Sequence, residues 1–103
     1  MLKWTPKSEI DLDQIREHIA IQFDVDLAIE IINNLIDHVE TLLSSNPLAG
    51  HIVESNPLFS KLVFDGNSIY YCENPKDKHL YIVYVRARGT DFQDDRLNTQ
   101  EVA

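Results

Sequence analysis

At 103 residues, with 44% apolar side chains, 3 Gly and 4 Pro, the chain has the balance of one packed globular domain, and this composition excludes wholesale disorder. Its formal net charge of −8 opposes tight direct binding to a nucleic-acid backbone, which rests on Lys and Arg neutralising phosphates. No apolar run approaches the ~18 residues of a membrane span, and the opening residues lack the charged-then-apolar order of a signal peptide, so a cytoplasmic protein without membrane partners is expected.

The charge is unevenly spread. Residues 1–59 carry 3 basic and 10 acidic side chains, residues 60–88 carry 5 and 3, and residues 89–103 carry 1 and 4, so an anion-seeking surface is expected within 60–88. Cys72 is the single cysteine, which rules out an internal disulfide and agrees with a reducing compartment. His18, His38, His51 and His79 are scattered without metal-ligand spacing, so neither a metal nor another cofactor is expected. A chain this short buries little more than ~60% of its unfolded surface, so a partner covering an apolar face would add usefully to its stability.

In chain order, Leu2, Lys3, Trp4 and Thr5 alternate apolar and polar before a proline, the pattern of a short strand. Thr5 as N-cap and Pro6 at the first helical position, with Glu9 and Asp11 close behind, predict a helix start. Leu12, Ile15, Ile19 and Phe23 share one face of that helix. Asp11, Asp13, Gln14, Glu17 and His18 predict a solvated opposite face. Asp24-Val25-Asp26 interrupts the period, with Asp26 expected as N-cap of a second helix reaching about residue 44. Its main stripe is Ala28, Ile31, Leu35, Val39 and Leu42, widened by Ile32, Ile36 and Leu43. The short connection makes the two helices an antiparallel hairpin.

Breaker-rich residues 45–58, with Asn46-Pro47 and Asn56-Pro57, predict a loop. Residues 59–64, 68–73 and 80–86 are rich in β-branched and aromatic side chains. Asp65-Gly66-Asn67 and residues 74–78 are turns of hairpin length, which makes these strands an antiparallel meander. The fold class is therefore α+β: a short strand, a helix hairpin and a three-stranded meander. Residues 1–91 are expected to form the single domain, and the polar residues 92–103 a mobile tail.

This order resembles the RelE/ParE family of bacterial toxins. Trp4-Thr5-Pro6 followed by Asp11-Leu12 and Ile15 is similar to the family's opening strand and first helix. Asn46-Pro47-Leu48-Ala49-Gly50 resembles its Asn-Pro-x-x-Gly loop, Ser68-Ile69-Tyr70-Tyr71 its Arg-apolar-x-Tyr strand, and residues 80–88 its closing strand with a basic end. The resemblance implies the toxin of a type II toxin–antitoxin system, associated with plasmid stabilisation and growth inhibition and held by a cognate antitoxin. Two branches are known, one poisoning DNA gyrase and one cleaving messenger RNA on the ribosome. The ribonuclease arginine aligns with Ser68, which favours the ParE-like branch; the ribonuclease, or a non-toxic interaction module on the same fold, is the alternative.

Metal-free phosphodiester cleavage needs cations beside the phosphate and a proton donor and acceptor. Strand alternation places residues 80, 82, 84, 86 and 88 on one face and Ser68, Tyr70 and Cys72 on another, opposite Ile69 and Tyr71. If Ile69 and Tyr71 face the helices, the target-binding surface comprises Lys61, Ser68, Tyr70, Tyr84, Arg86 and Arg88. Arg86, Arg88 and Tyr84 are the candidates for any catalysis, and Phe92 corresponds to a later aromatic of the family. Arginines at a strand end are often merely solvated, tyrosines are more often core than catalytic, and a strand cysteine is inert without a basic neighbour.

Overall fold

Proline ends the first strand almost as soon as it begins. In the computed structural model, which describes residues 2–87, β1 (Leu2–Trp4) pairs in parallel with β5 (Leu80–Arg86). The Thr5 N–H adds one more ladder bond, to the Ile82 carbonyl at 3.0 Å. Pro6 has no N–H to continue the series. The Thr5 hydroxyl instead accepts from the Ser8 N–H at 3.1 Å and starts α1 (Pro6–Gln22). Two residues later α2 (Val25–Ser45) begins, capped not by Asp26 but by Asp24, whose extended backbone lets its carboxylate accept from the Leu27 N–H at 2.7 Å. Asp26 falls in the first turn, where its charge meets the positive end of the helix dipole.

The helices form the expected hairpin, with small shifts in the buried stripe. On α2 the buried residues are Ala28, Ile32, Leu35, Val39 and Leu43; Ile31 and Leu42 sit half-buried at its margin. On α1 Leu12 is buried and Ile15 and Ile19 half-buried, but Phe23 is exposed because it lies past the last helical turn as the C-cap. The largest departure is Asp11. It was expected on the solvated face, yet it is 1% exposed.

After α2 the Asn46–Gly50 turn is tied to the sheet by Tyr71, whose hydroxyl donates to the Pro47 carbonyl at 3.1 Å and accepts from the Gly50 N–H at 2.9 Å. A Cβ on Gly50 would lie 2.7 Å from that hydroxyl and 2.9 Å from the Lys61 carbonyl oxygen, so the loop's glycine is required for close approach. The loop then contributes a two-residue edge strand, β2 (His51–Ile52), that sequence patterning did not reveal. β3 (Ser60–Phe64), β4 (Asn67–Glu73) and β5 follow as the predicted meander. Asp65 and Gly66 both take positive φ, 52° and 82°, as a two-residue hairpin turn matched to strand twist requires.

The sheet order is β1-β5-β4-β3-β2, antiparallel except for the β1–β5 pair. The helices cover one face, where Leu12, Ile32, Leu35, Val39 and Leu43 pack on Leu62, Ile69, Tyr71, Ile82 and Val85. The far face has its own small core: Tyr70, Cys72, Val83 and Tyr84, closed by Val53 and Phe59 from the segment between β2 and β3.

Candidate cationic face and interhelical groove

A β-bulge sets the candidate site. In β5 the partner of Tyr71 is Ile82 and that of Tyr70 is Tyr84, so Val83 is the extra residue. Alternation was expected to put residues 80, 82, 84 and 86 on one face. The bulge reverses the phase: Leu80 and Ile82 face the helices, whereas Val83 and Tyr84 face away. The physical reason is that one inserted residue in a strand of period two flips every side chain beyond it. Tyr84 and Arg86 thus stay together, with the Arg86 guanidinium 5.5 Å from the Tyr84 ring centre.

Cross-strand register brings together most of the residues singled out from sequence. Lys61, Tyr70 and Tyr84 form one row across three strands, and Val63, Ser68 and Arg86 the next. Lys61 lies 5.6 Å over the Tyr70 ring. Tyr70 and Tyr84 are 2% and 4% exposed, so they serve as aromatic floors beneath cations and not as projecting acids. Arg88 and Phe92 lie outside the described residues.

Two further cations join this face. Lys3, alternating between inward Leu2 and Trp4, lies 5.9 Å over Tyr81, and Lys7, from the first turn of α1, lies 5.8 Å over Tyr84. Strand alternation could have placed Lys3 once the parallel β1–β5 pairing was known. Lys7 carried no signal, because it reaches the face only through the docking of α1. Lysine or arginine over a tyrosine ring is held by the ring's quadrupole, a contact worth roughly 0.5–1 kcal/mol at an exposed site. The protein is acidic overall, yet this side of the sheet gathers cations.

Asp11 organises that side. Among the described residues, β5 has no strand partner on its α1 side beyond Thr5, and two side chains substitute for one. The Thr5 hydroxyl donates to the Val83 carbonyl at 3.4 Å, and Asp11 Oδ2 accepts from the Val85 N–H at 3.0 Å. Asp11 Oδ1 pairs with Lys7 and lies 3.7 Å from an Arg86 nitrogen. One buried carboxylate therefore closes the open edge of β5 and faces the two cations flanking Tyr84. Cys72, on the same face, has its thiol pushed up to about 11 by burial and is poorly suited to act as a nucleophile. A shallow concavity of about 620 Å³ lined by His51, Glu54, Ser55 and Lys61 borders the face.

At the other end of the sheet, Tyr81 donates to Asp77 at 2.5 Å. That hydrogen bond holds the Asp77 carboxyl below its ordinary range and raises the Tyr81 phenol above its own. On the helix side, a groove of about 330 Å³ lies between α1, α2 and Trp4, walled by Glu9, Asp13, Arg16 and Glu40. Among the described residues no group of three His, Cys, Asp or Glu side chains is placed to hold a metal ion, and no helix is long and apolar enough to cross a membrane.

No protein-family model and no curated protein sequence matches the chain. A solved structure described as the chromosomal ParDE TA system from P. aeruginosa contains a chain that superimposes with a TM-score of 0.72 at 26% identity, covering 84% of this chain and 94% of that one. With that likeness added to the strand order, the helix hairpin and the run of local motifs, the chain is by fold a divergent member of the RelE/ParE superfamily.

Proposed function

We propose that the chain is the toxin component of a type II toxin–antitoxin pair, of ParE-like type, which arrests growth by acting on an essential cytoplasmic target such as DNA gyrase and is neutralised by a cognate antitoxin. The observation that carries this reading is the likeness to a chain of a ParDE system over nearly all of that chain's length. The identity of residue 68 supports the ParE-like branch. Ser68 sits directly across from Arg86, where the resemblance to the ribonuclease branch calls for an arginine. Residues 1–91 form the unit proposed to act, with 92–103 as a tail.

The test is inducible expression. Growth arrest relieved by co-expressing the product of the neighbouring gene, together with inhibition of gyrase supercoiling by the purified protein, supports the proposal. Harmless expression with stable binding to that product would make the chain an interaction module that kept the fold without the toxicity.

One observation favours a second reading, a ribosome-dependent endoribonuclease. Lys7, Lys61 and Arg86 converge over two adjacent tyrosines, and clustered cations of this kind stabilise charge growing on a phosphate. Since Tyr84 is buried, the cations Arg86 and Arg88 carry this reading. Purified protein with translating ribosomes should then cut messenger RNA, and the paired change Arg86→Ala with Arg88→Ala should abolish the cuts. Uncut messenger would remove it.

A further inference from the structure

The groove between α1 and α2 lies on the opposite side of the sheet from the cationic face, and its chemistry is reversed. Trp4 and Leu12 floor it, Ile36 lines one side, and Glu9, Asp13 and Glu40 supply three carboxylates against the single cation Arg16. Arg16 is turned to Asp13 at 2.5 Å, and the Trp4 indole N–H points to Glu40 at 3.4 Å. Glu9 and Asp13 from α1 and Ile36 and Glu40 from α2 line the same groove. Continuing the helical spacing brings Ala20 and Ile29 to the same side, and Ile29 is 45% exposed. On helical spacing the stretch from Glu9 to Ala20 runs about 16 Å along the hairpin, its apolar side chains interrupted by Arg16 and Asn33.

We propose that this groove docks an amphipathic protein segment bearing Lys or Arg beside its apolar side chains, a basic partner for an acidic chain. The charge of the hairpin selects that occupant. Residues 6–45 hold nine carboxylates and two cations. A second copy of this chain would set the same acids against each other, and an acidic segment would meet the same repulsion. A basic segment gains apolar burial against Trp4, Ile36 and Ile29 together with attraction from Glu9 and Glu40. A lysine or arginine entering beside the indole would also face an aromatic ring able to hold it. The inference deepens the toxin–antitoxin reading by naming the chemistry of the bound segment, and it depends on that reading only in taking the occupant to be a protein.

Trp4 is the one tryptophan in the chain, so its fluorescence reports occupancy directly. The experiment titrates the full chain with a designed helical peptide presenting a leucine face flanked by lysines, and with its counterpart carrying glutamate at every lysine position. The basic peptide should shift Trp4 emission saturably and bind less tightly as salt rises. The pair Glu9→Lys with Glu40→Lys should weaken it by at least about tenfold. Glu73→Lys, an exposed position outside the groove, should leave the affinity within about twofold, which separates local recognition from general attraction to an acidic protein.

Equal binding of the glutamate peptide, undiminished binding to the doubly reversed variant, or no effect of the basic peptide on Trp4 would each overturn the proposal. So would sedimentation showing a dimer of the chain alone that shields Trp4 from a soluble quencher. None of these outcomes bears on growth arrest, so failure here is distinguishable from failure of the toxin assignment.

Discussion

Replacing the buried Asp11 should destabilise the protein more than replacing an exposed carboxylate of the helices such as Asp13. Its Oδ2 is the acceptor for the Val85 N–H at 3.0 Å, in a site where the side chain is 1% exposed. Asp11→Ala strands that buried donor at a cost of about 1–3 kcal/mol. Breaking a fully buried ion pair can cost about 3–5 kcal/mol more. The Lys7 and Arg86 side chains, however, are 28% and 25% exposed, so water replaces part of the lost interaction and only about 1 kcal/mol is added. The expected loss is therefore about 2–4 kcal/mol, with the thermal midpoint falling by roughly 4–8 °C for each kcal/mol. Urea denaturation followed by circular dichroism measures it. Asp11→Asn keeps an oxygen acceptor for Val85 and should lose less than the alanine variant. Asp13→Ala, which removes only an exposed pair with Arg16, should cost under about 1 kcal/mol. Equal losses at positions 11 and 13 would refute the claim that Asp11 closes the edge of β5. Equal losses for alanine and asparagine would show that charge, not the hydrogen bond, carries the effect.

Gly50→Ala should destabilise by about 1–3 kcal/mol, because the new methyl group meets Lys61 backbone as well as the Tyr71 hydroxyl; adding Tyr71→Phe should recover little, since the backbone clash remains. Cys72, raised from 9.0 to about 11 by burial, should resist iodoacetamide at pH 8 in the folded protein and react promptly in urea. Its raised value means that stability is intact below the unfolded value and falls as pH rises from 9.0 through about 11; a Cys72→Ala variant should lack that component of the alkaline decline. For the exposed Asp77–Tyr81 pair, Tyr81→Phe should return the Asp77 carboxyl toward its ordinary range, read from the pH titration of its side-chain NMR signal. With the pair intact, the stabilising interaction is present above the ordinary carboxylate range and fades as pH falls through the lowered value.

The cationic face and the acidic groove make the molecule electrically two-sided, despite a net charge of −8. Cations rest on tyrosine rings on the far side of the sheet, while the helix hairpin presents most of the carboxylates. An anionic target and a basic partner segment could therefore be engaged on separate surfaces, each attracted to its own side by charges that act within about a Debye length of 8–10 Å at physiological salt.

The sequence by itself determined what depends on neighbours along the chain. Thr5-Pro6 and the spacing of apolar residues specified the helix hairpin, Asp65-Gly66 the tight turn, and alternation within β4 the division of Ile69 and Tyr71 from Ser68, Tyr70 and Cys72. These signals are legible because capping, periodicity and turn geometry act within a few residues. The tertiary structure decided the rest. Parallel pairing of β1 with β5 joins residues nearly eighty positions apart, and the Val83 bulge reverses a face that strict alternation had assigned the other way. Lys7 reaches Tyr84, and Asp11 is buried among solvated carboxylates of the same helix, only because α1 docks along an open strand edge. Nothing in the identity of a lysine or an aspartate distinguishes that setting from water; the edge of β5, with an N–H needing an acceptor, does.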